Sequence, residues 1–180
     1  MEKKERNMRK QEDNYKDEVL SLRRVTKVTK GGRTLHFSAT VAVGDKKGKV
    51  GIGSGKSSEV VDAIKKARMQ AVKNIKKIDI IDGRTISHDI IGEAGAAKVL
   101  LKPAKAGTGI IAGGTVRSII GLTGVKNLIS KSLGSTNKVN IAYAVIEGLK
   151  QQVPRKEWNG AKAPKAEKAE KPAEKPAAKK

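Results

Sequence analysis

The sequence predicts an α+β protein, a β-β-β-α unit followed by a second unit of strands and helices. Three observations predict it. Residues 27–56, KVTKGGRTLHFSATVAVGDKKGKVGIGSGK, alternate apolar and polar side chains between two glycine-containing turns. Immediately afterwards the spacing changes to threes and fours, with Val60, Ile64, Ala67, Ala71, Ile75 and Ile78 forming a helical stripe. Strand-like runs then return, and a last helical pattern covers about 138–152.

The elements follow in order. Residues 1–18 mix charges and hold almost no aliphatics, which suits a flexible arm or a frayed helix. Val19 to Thr29 reads as a strand with a bulge near Arg23-Arg24. Lys30-Gly31-Gly32-Arg33 is a tight turn in which the Gly-Gly pair supplies positive φ. Leu35, Phe37, Ala39, Val41 and Val43 alternate with His36, Ser38, Thr40 and Ala42, the pattern of a half-buried strand. After the Gly44–Gly48 loop, Lys49 to Ser54 sets Val50 and Ile52 on one face and Gly51 and Gly53 on the other. Strand glycines leave room for a second backbone or a ligand. Ser57-Ser58-Glu59 reads as a hydroxyl-capped helix start, with the helix running to about Lys77.

In the second unit, Asp82-Gly83 is a turn signal with Thr85 to Ile90 as the partner strand. Residues 92–97 form a small-residue loop, and Lys98 to Pro103 a strand ended by proline. A short helix is expected to begin near Ile111, with packing against the sheet helped by Gly113 and Gly114. Val125 to Leu133 is a loop or short strand. Thr136 or Asn137 caps the last helix, whose buried stripe is Ala142, Val145, Ile146 and Leu149. From Pro154 the Ala/Lys/Pro/Glu near-repeat cannot bury a core, so 154–180 is expected to be a disordered tail.

Composition narrows the partners. The 180-residue chain carries a formal net charge of +21. Such an excess points to nucleic acid or an anionic surface. No apolar run is long enough to span a membrane, and the first residues lack the apolar core of a secretory signal. No cysteine is present, which excludes disulfides, zinc–thiolate sites and thiol chemistry. The expectation is a soluble cytoplasmic protein. Residues 23–56 hold nine basic residues against one acid, Asp45, so charge concentrates where the chain looks folded.

Candidate chemistry is mostly negative. GIGSGKS at 51–57 resembles a phosphate loop, but three residues instead of four separate Gly51 from Gly55, and Val50 occupies the position that must be glycine. The junction could still hold a single phosphate at its helix end. Gly107-Thr108-Gly109 ahead of a helix is a second possible anion site. His36 and His88 have no partners at metal-ligand spacing, and no nucleophile–base–acid set or carboxylate pair is visible, so no enzyme, metal or cofactor is expected. Aromatics are too few for a base-stacking platform. What remains is phosphate and 2′-hydroxyl contact with folded or double-stranded RNA, read by shape. The candidate contacts are Arg24, Lys27, Lys30, Arg33, Lys46, Lys47, Lys49 and Lys56, with Gly31 and Gly32 allowing close backbone approach. The β-β-β-α order with basic loops is similar to a double-stranded-RNA-binding domain.

Five ordered segments carry a more specific resemblance: RVTKVTKGGR at 24–33, the F-x-A-x-x-x-V-G-D segment at 37–45, GKVGIGSGK at 48–56, PAKAGTGIIAGGTVR at 103–117, and GSTN at 134–137. Together they make the chain resemble the fifth protein of the small ribosomal subunit, bacterial type, from about Leu20 to Leu149. The resemblance implies a double-stranded-RNA-binding-like domain at 19–82 and a C-terminal α/β domain at 83–153 with a left-handed βαβ crossover. It implies binding to small-subunit (16S) rRNA at the back of the body toward the head, and contacts with the fourth and eighth small-subunit proteins. It also implies a part in decoding accuracy and messenger-RNA entry.

By position, the family's intruding hairpin tip near the spectinomycin site falls on Lys27 to Arg33. The interface with the fourth protein falls on Gly107, Gly109, Gly113 and Arg117. Lys105, Thr108, Ser135, Thr136 and Asn137 complete the candidate RNA contacts. Two places depart from the family's pattern: Lys138 stands where proline commonly opens the last helix, and GEAGAA at 92–97 replaces a more basic, bulkier loop. The competing expectations are a free-standing double-stranded-RNA-binding or RNA-chaperone protein and, from a third class, a phosphate-loop-like nucleotide enzyme.

Overall fold

The computed structural model describes residues 15–80 and 83–152. Its elements run β1 (Lys16–Thr29), β2 (Gly32–Gly44), β3 (Lys49–Ser57), α1 (Val60–Lys73), β4 (Lys76–Lys77), β5 (Ile90–Ala94), β6 (Ala97–Pro103), β7 (Ile110–Ile111), α2 (Gly114–Thr123), β8 (Leu128–Ser132) and α3 (Lys138–Lys150). They form two four-stranded sheets, β1-β2-β3-β4 and β5-β6-β8-β7. The first is antiparallel; in the second, β7 lies parallel to β8 across α2. Most of the expected arm (1–14), Asp82 of the proposed turn, and the expected tail lie outside the described residues.

The β1–β2 hairpin forms with Thr29 opposite Gly32 and Arg24 opposite Phe37, whereas a two-residue turn on Gly31-Gly32 would have set Lys30 opposite Arg33. Its bulge sits between Val19 and Ser21, not at Arg23-Arg24. The tip also differs from expectation: Gly32 alone has positive φ, at 143°, and the two-residue connection is Lys30-Gly31. Strand β2 is half-buried only near the tip. From Ala39 to Gly44 it is buried on both faces, because each face meets a different partner. Ala39, Val41 and Val43 pack with Ala63, Ala67 and Ala71 of α1. Ala42, with Val50 and Ile52 of β3, faces the second sheet and joins its core.

The α1–β3 contact explains both sequences. A Cβ at Gly53 would strike the backbone of Ala67 and Ala71, and one at Gly55 that of Ala63 and Ala67. Glycines on the strand and alanines on the helix therefore let the two backbones meet at close range. The room left by the strand glycines is filled by the helix and not by a ligand. The helix start and end differ from expectation. Ser57 is the last residue of β3, and the N-cap is Glu59 with no side-chain cap bond. After Asn74 the chain turns back along β3, placing Lys77 opposite Lys49, and Ile78 N–H donates to Gly48 O at 2.7 Å. Helical spacing continued past Lys73, but sheet pairing captures those residues.

In the second unit, residues 86–89 form no strand: Thr85 makes an isolated bridge with its Oγ1 donating to Asn127 O at 2.9 Å, and only Ile90 of the expected strand pairs, opening β5 opposite Leu101. The expected loop at 92–97 is largely hairpin strand, with Gly92 opposite Val99. A Cβ at Gly92 would meet the backbone of Ala144 and Gly148, so the GEAGAA departure fits β5 against α3. The helix expected from Ile111 starts at Gly114, since Ile110 and Ile111 pair with β8. Asn137 caps α3, its side-chain oxygen accepting from Val139 N–H at 3.2 Å, which secures the helix start that Lys138 opens without proline.

One core runs through both sheets. Leu20, Ala42, Val50, Ile52 and Ile78 from the first half belong to the same buried cluster as Leu101, Ile119, Ile120, Leu128, Val145 and Leu149. The Gly44–Gly48 loop reinforces the join: Lys46 N–H and Gly48 N–H donate to Leu122 O and Thr123 O, each at 2.9 Å. Carbonyls left open at the end of α2 are thereby satisfied by the neighbouring unit.

Candidate nucleic-acid interface

The β1–β2 hairpin outruns its sheet. Strand β3 ends at Ser57, opposite Phe37, whereas β1 and β2 continue pairing to Thr29–Gly32. At about 3.4 Å per residue, the unaccompanied ribbon from Phe37 to Gly32 extends about 17 Å. Lys27, Lys30 and Arg33 are exposed on it, as are Val28 and Leu35. None of the three cations pairs with a carboxylate among the described residues. Strand alternation divides them. Lys27 shares a face with Thr34, while Arg33 lies with Val28 on the opposite face, the face of Arg24. Sequence reasoning grouped Arg24 with Lys27; the ribbon separates them.

Lys46, Lys47 and Lys49 are exposed, but their loop is no free probe. Asp45 Oδ1 accepts from Lys47 N–H at 2.7 Å and Lys49 N–H at 3.0 Å, and the loop is clamped to α2. Exposed Lys76 and Lys77, expected on a helix, instead join Lys49 at the β3–β4 edge. Their sequence signal was the helical spacing itself, so nothing in it announced the edge. Lys46 also brings the two halves together. With Thr108, Gly109, Arg117 and Lys126 it lines an open cleft of about 740 Å³.

Lys105 and Thr108 stand exposed on the loop before β7. Its organiser is Asn127, which sequence reasoning missed. This buried side chain accepts from Gly107 N–H at 3.2 Å and Gly109 N–H at 3.1 Å. Both amides are therefore engaged internally, and the expected anion site at Gly107–Gly109 loses its two donors. Packing does not account for Gly113 and Gly114 either: a Cβ at either meets nothing within 4 Å. Arg117 is exposed near them, with Nη2 donating to Ile110 O at 3.4 Å.

The GSTN turn is built into the join. Asn137 Oδ1 caps α3 and also accepts from Arg23 of the hairpin at 3.2 Å, and Ser135 Oγ accepts from Asn137 N–H at 3.2 Å. Thr136 is exposed between them. Arg23 was not among the candidate contacts; a partner 114 residues away leaves no local signal.

At the GIGSGK segment, Lys56 is exposed at the end of β3, and the glycines before it face α1. Among the described residues there is no cluster of three metal-ligating side chains and no helix long and apolar enough to cross a membrane. Fold and surface thus define a basic α+β nucleic-acid-binding protein, which displays lysines and arginines from a hairpin, a clamped loop and a sheet edge.

Comparison with known proteins sharpens that class. Residues 15–79 match the family model described as "Ribosomal protein S5, N-terminal domain", and residues 92–161 match "Ribosomal protein S5, C-terminal domain". The chain is 50% identical over 147 residues to the small ribosomal subunit protein uS5 of Thermotoga neapolitana, covering 81% of this chain and 82% of that protein. It is 51% identical over 147 residues to its counterpart in Thermotoga maritima, with the same coverage, and 48% identical over 143 residues to that of Thermosipho africanus, covering 79% and 81%. The chain belongs to the ribosomal protein S5 family. It is a structural component of the small ribosomal subunit, not an enzyme, and its partner there is ribosomal RNA.

Proposed function

We propose that within the small subunit the chain holds head and body of the 16S rRNA in register, with the hairpin tip Lys27 to Arg33 inserted among RNA helices. The observation that carries this reading is the ribbon that outruns its sheet with unpaired cations on both faces. A rigid two-stranded probe with Gly31 and Gly32 at its end suits phosphate contact and close backbone approach, without base reading. Through that position the chain supports translational accuracy and messenger-RNA entry. Gly107, Gly109, Gly113 and Arg117 face the fourth small-subunit protein, and the eighth is a further neighbour. Open space around Gly113 and Gly114, unexplained by internal packing, supports that assignment.

Crosslinking from residues 27–33 in assembled subunits tests the placement: a defined rRNA site is expected, and crosslinks to protein alone would refute it. Washed-gradient sedimentation separates the alternative of a free RNA chaperone, which would be lost or substoichiometric where a subunit component stays. Lys30→Gln and Arg33→Gln should each lower the slope of log affinity against log salt by about 0.7–0.9.

A further inference from the structure

Where β3 leaves the sheet, an open cleft of about 610 Å³ forms between the hairpin ribbon and α1. Lysines from three elements line it: Lys27 of β1, Lys56 of β3 and Lys66 of α1. His36, Ser57 and Ser58 supply its neutral polar wall, and no carboxylate lines it. Lys66 Nζ donates to the buried Ser57 Oγ at 3.3 Å, which holds its ammonium at the cleft. None of the three lysines has a carboxylate partner among the described residues, although Lys65, one position earlier on the same helix, reaches Asp62 at 3.9 Å. Gathering like charges costs electrostatic energy that a solvated surface avoids by mixing signs, so the arrangement calls for an anionic occupant.

Resting on the RNA-binding role proposed above, we infer that this cleft seats a run of RNA sugar–phosphate backbone entering from the hairpin. Lys27, Lys56 and Lys66 hold its phosphates, with Ser57 and Ser58 as hydroxyl partners. RNA is favoured over an acidic protein segment because the cleft continues directly from the cationic ribbon through Lys27 and offers almost no apolar anchor, Val25 being the only aliphatic in its lining. The volume suits a nucleotide-sized stretch, and with His36 as its only ring the lining lacks the aromatic platform of a base reader. Lys27 and Lys56 are among the sequence candidates; Lys66 joins them at the cleft through the fold.

The test titrates the full-length chain with a small-subunit rRNA transcript across a salt series. Lys66→Gln and Lys56→Gln should each weaken binding by about three- to tenfold and lower the salt slope by about 0.7–0.9, while Lys65→Gln leaves both unchanged. Lys66→Arg, which keeps the charge, should restore the slope. Thermal unfolding of each variant should match the parent, since these side chains are exposed. If Lys66→Gln binds like Lys65→Gln while Lys30→Gln still lowers the slope, the seat is refuted and the RNA-binding role stands. A parent chain without salt-dependent binding would remove both. Unchanged RNA binding with lost co-sedimentation would assign the cleft to an acidic protein neighbour, overturning the RNA occupant.

Discussion

Gly51, Gly53 and Gly55 in β3 and Gly31 with Gly32 at the hairpin tip look alike in sequence, short glycine runs next to lysine. Their surroundings are opposite. An added Cβ in β3 would collide with the α1 backbone, whereas at Gly31 or Gly32 it would meet nothing within 4 Å. The β3 glycines are consumed by the fold: the helix occupies the space a phosphate would need. The tip glycines leave their side-chain space open to the surface. Gly113 and Gly114 fall with the tip in this respect. Glycine runs thus divide into those whose side-chain space is filled by the fold and those whose space lies open at the surface.

Gly53→Val is the largest expected disruption. Its side chain would enter backbone at Ala67 and Ala71, which cannot rotate away. Loss of about 3 kcal/mol or more is expected in equilibrium denaturation, with a melting point lower by roughly 6–12 °C. A stable Gly53→Val variant would mean that α1 can stand off from the sheet, and the comparison would collapse. Because one core spans both sheets, unfolding should be a single transition by circular dichroism and by Trp-independent probes of either half.

Asn127→Leu should come next. It removes the acceptor for Gly107 and Gly109 N–H, leaving two amides to find water, at a cost of about 1–3 kcal/mol. Hydrogen exchange should rise at those two amides far more than in α2. Uniform exchange across the second unit would instead show that Asn127 supports the whole core and not one loop.

The first half was legible because period-two alternation and Gly-containing turns are local: β1, β2 and β3 lie near where the sequence places them. Burial of β2 on both faces was not legible, because Ala42 and Thr40 read as the weak side until a second unit covers them. The end of α1 was misread because Ile75 and Ile78 keep helical spacing while Lys76-Lys77 is claimed by the edge of β3. Gly92 and Ala97 read as loop because small residues look the same in a turn and under a helix. Among candidate site residues, the exposure of lysines and arginines on contiguous strands was legible. The contacts of Arg23, Lys66 and Asn127 were not legible, since each is made to a residue distant in the chain or on another element.

Gly32→Ala and Gly31→Ala bring the comparison to its finest point. Gly32 sits at φ 143°, so alanine there should cost about 1–3 kcal/mol through the backbone alone. Gly31 lies outside the positive-φ set and has open space, so Gly31→Ala should change stability by no more than about 0.5 kcal/mol. Any substantial effect of Gly31→Ala must therefore appear in binding. With the chain titrated against rRNA, a several-fold weaker affinity at an unchanged salt slope is expected, because no charge is lost and only close approach is blocked. A lowered slope would show that alanine had displaced Lys30 or Arg33. Unaltered affinity would show that the RNA stands off from Gly31, leaving its lysine and arginine neighbours as the whole contact.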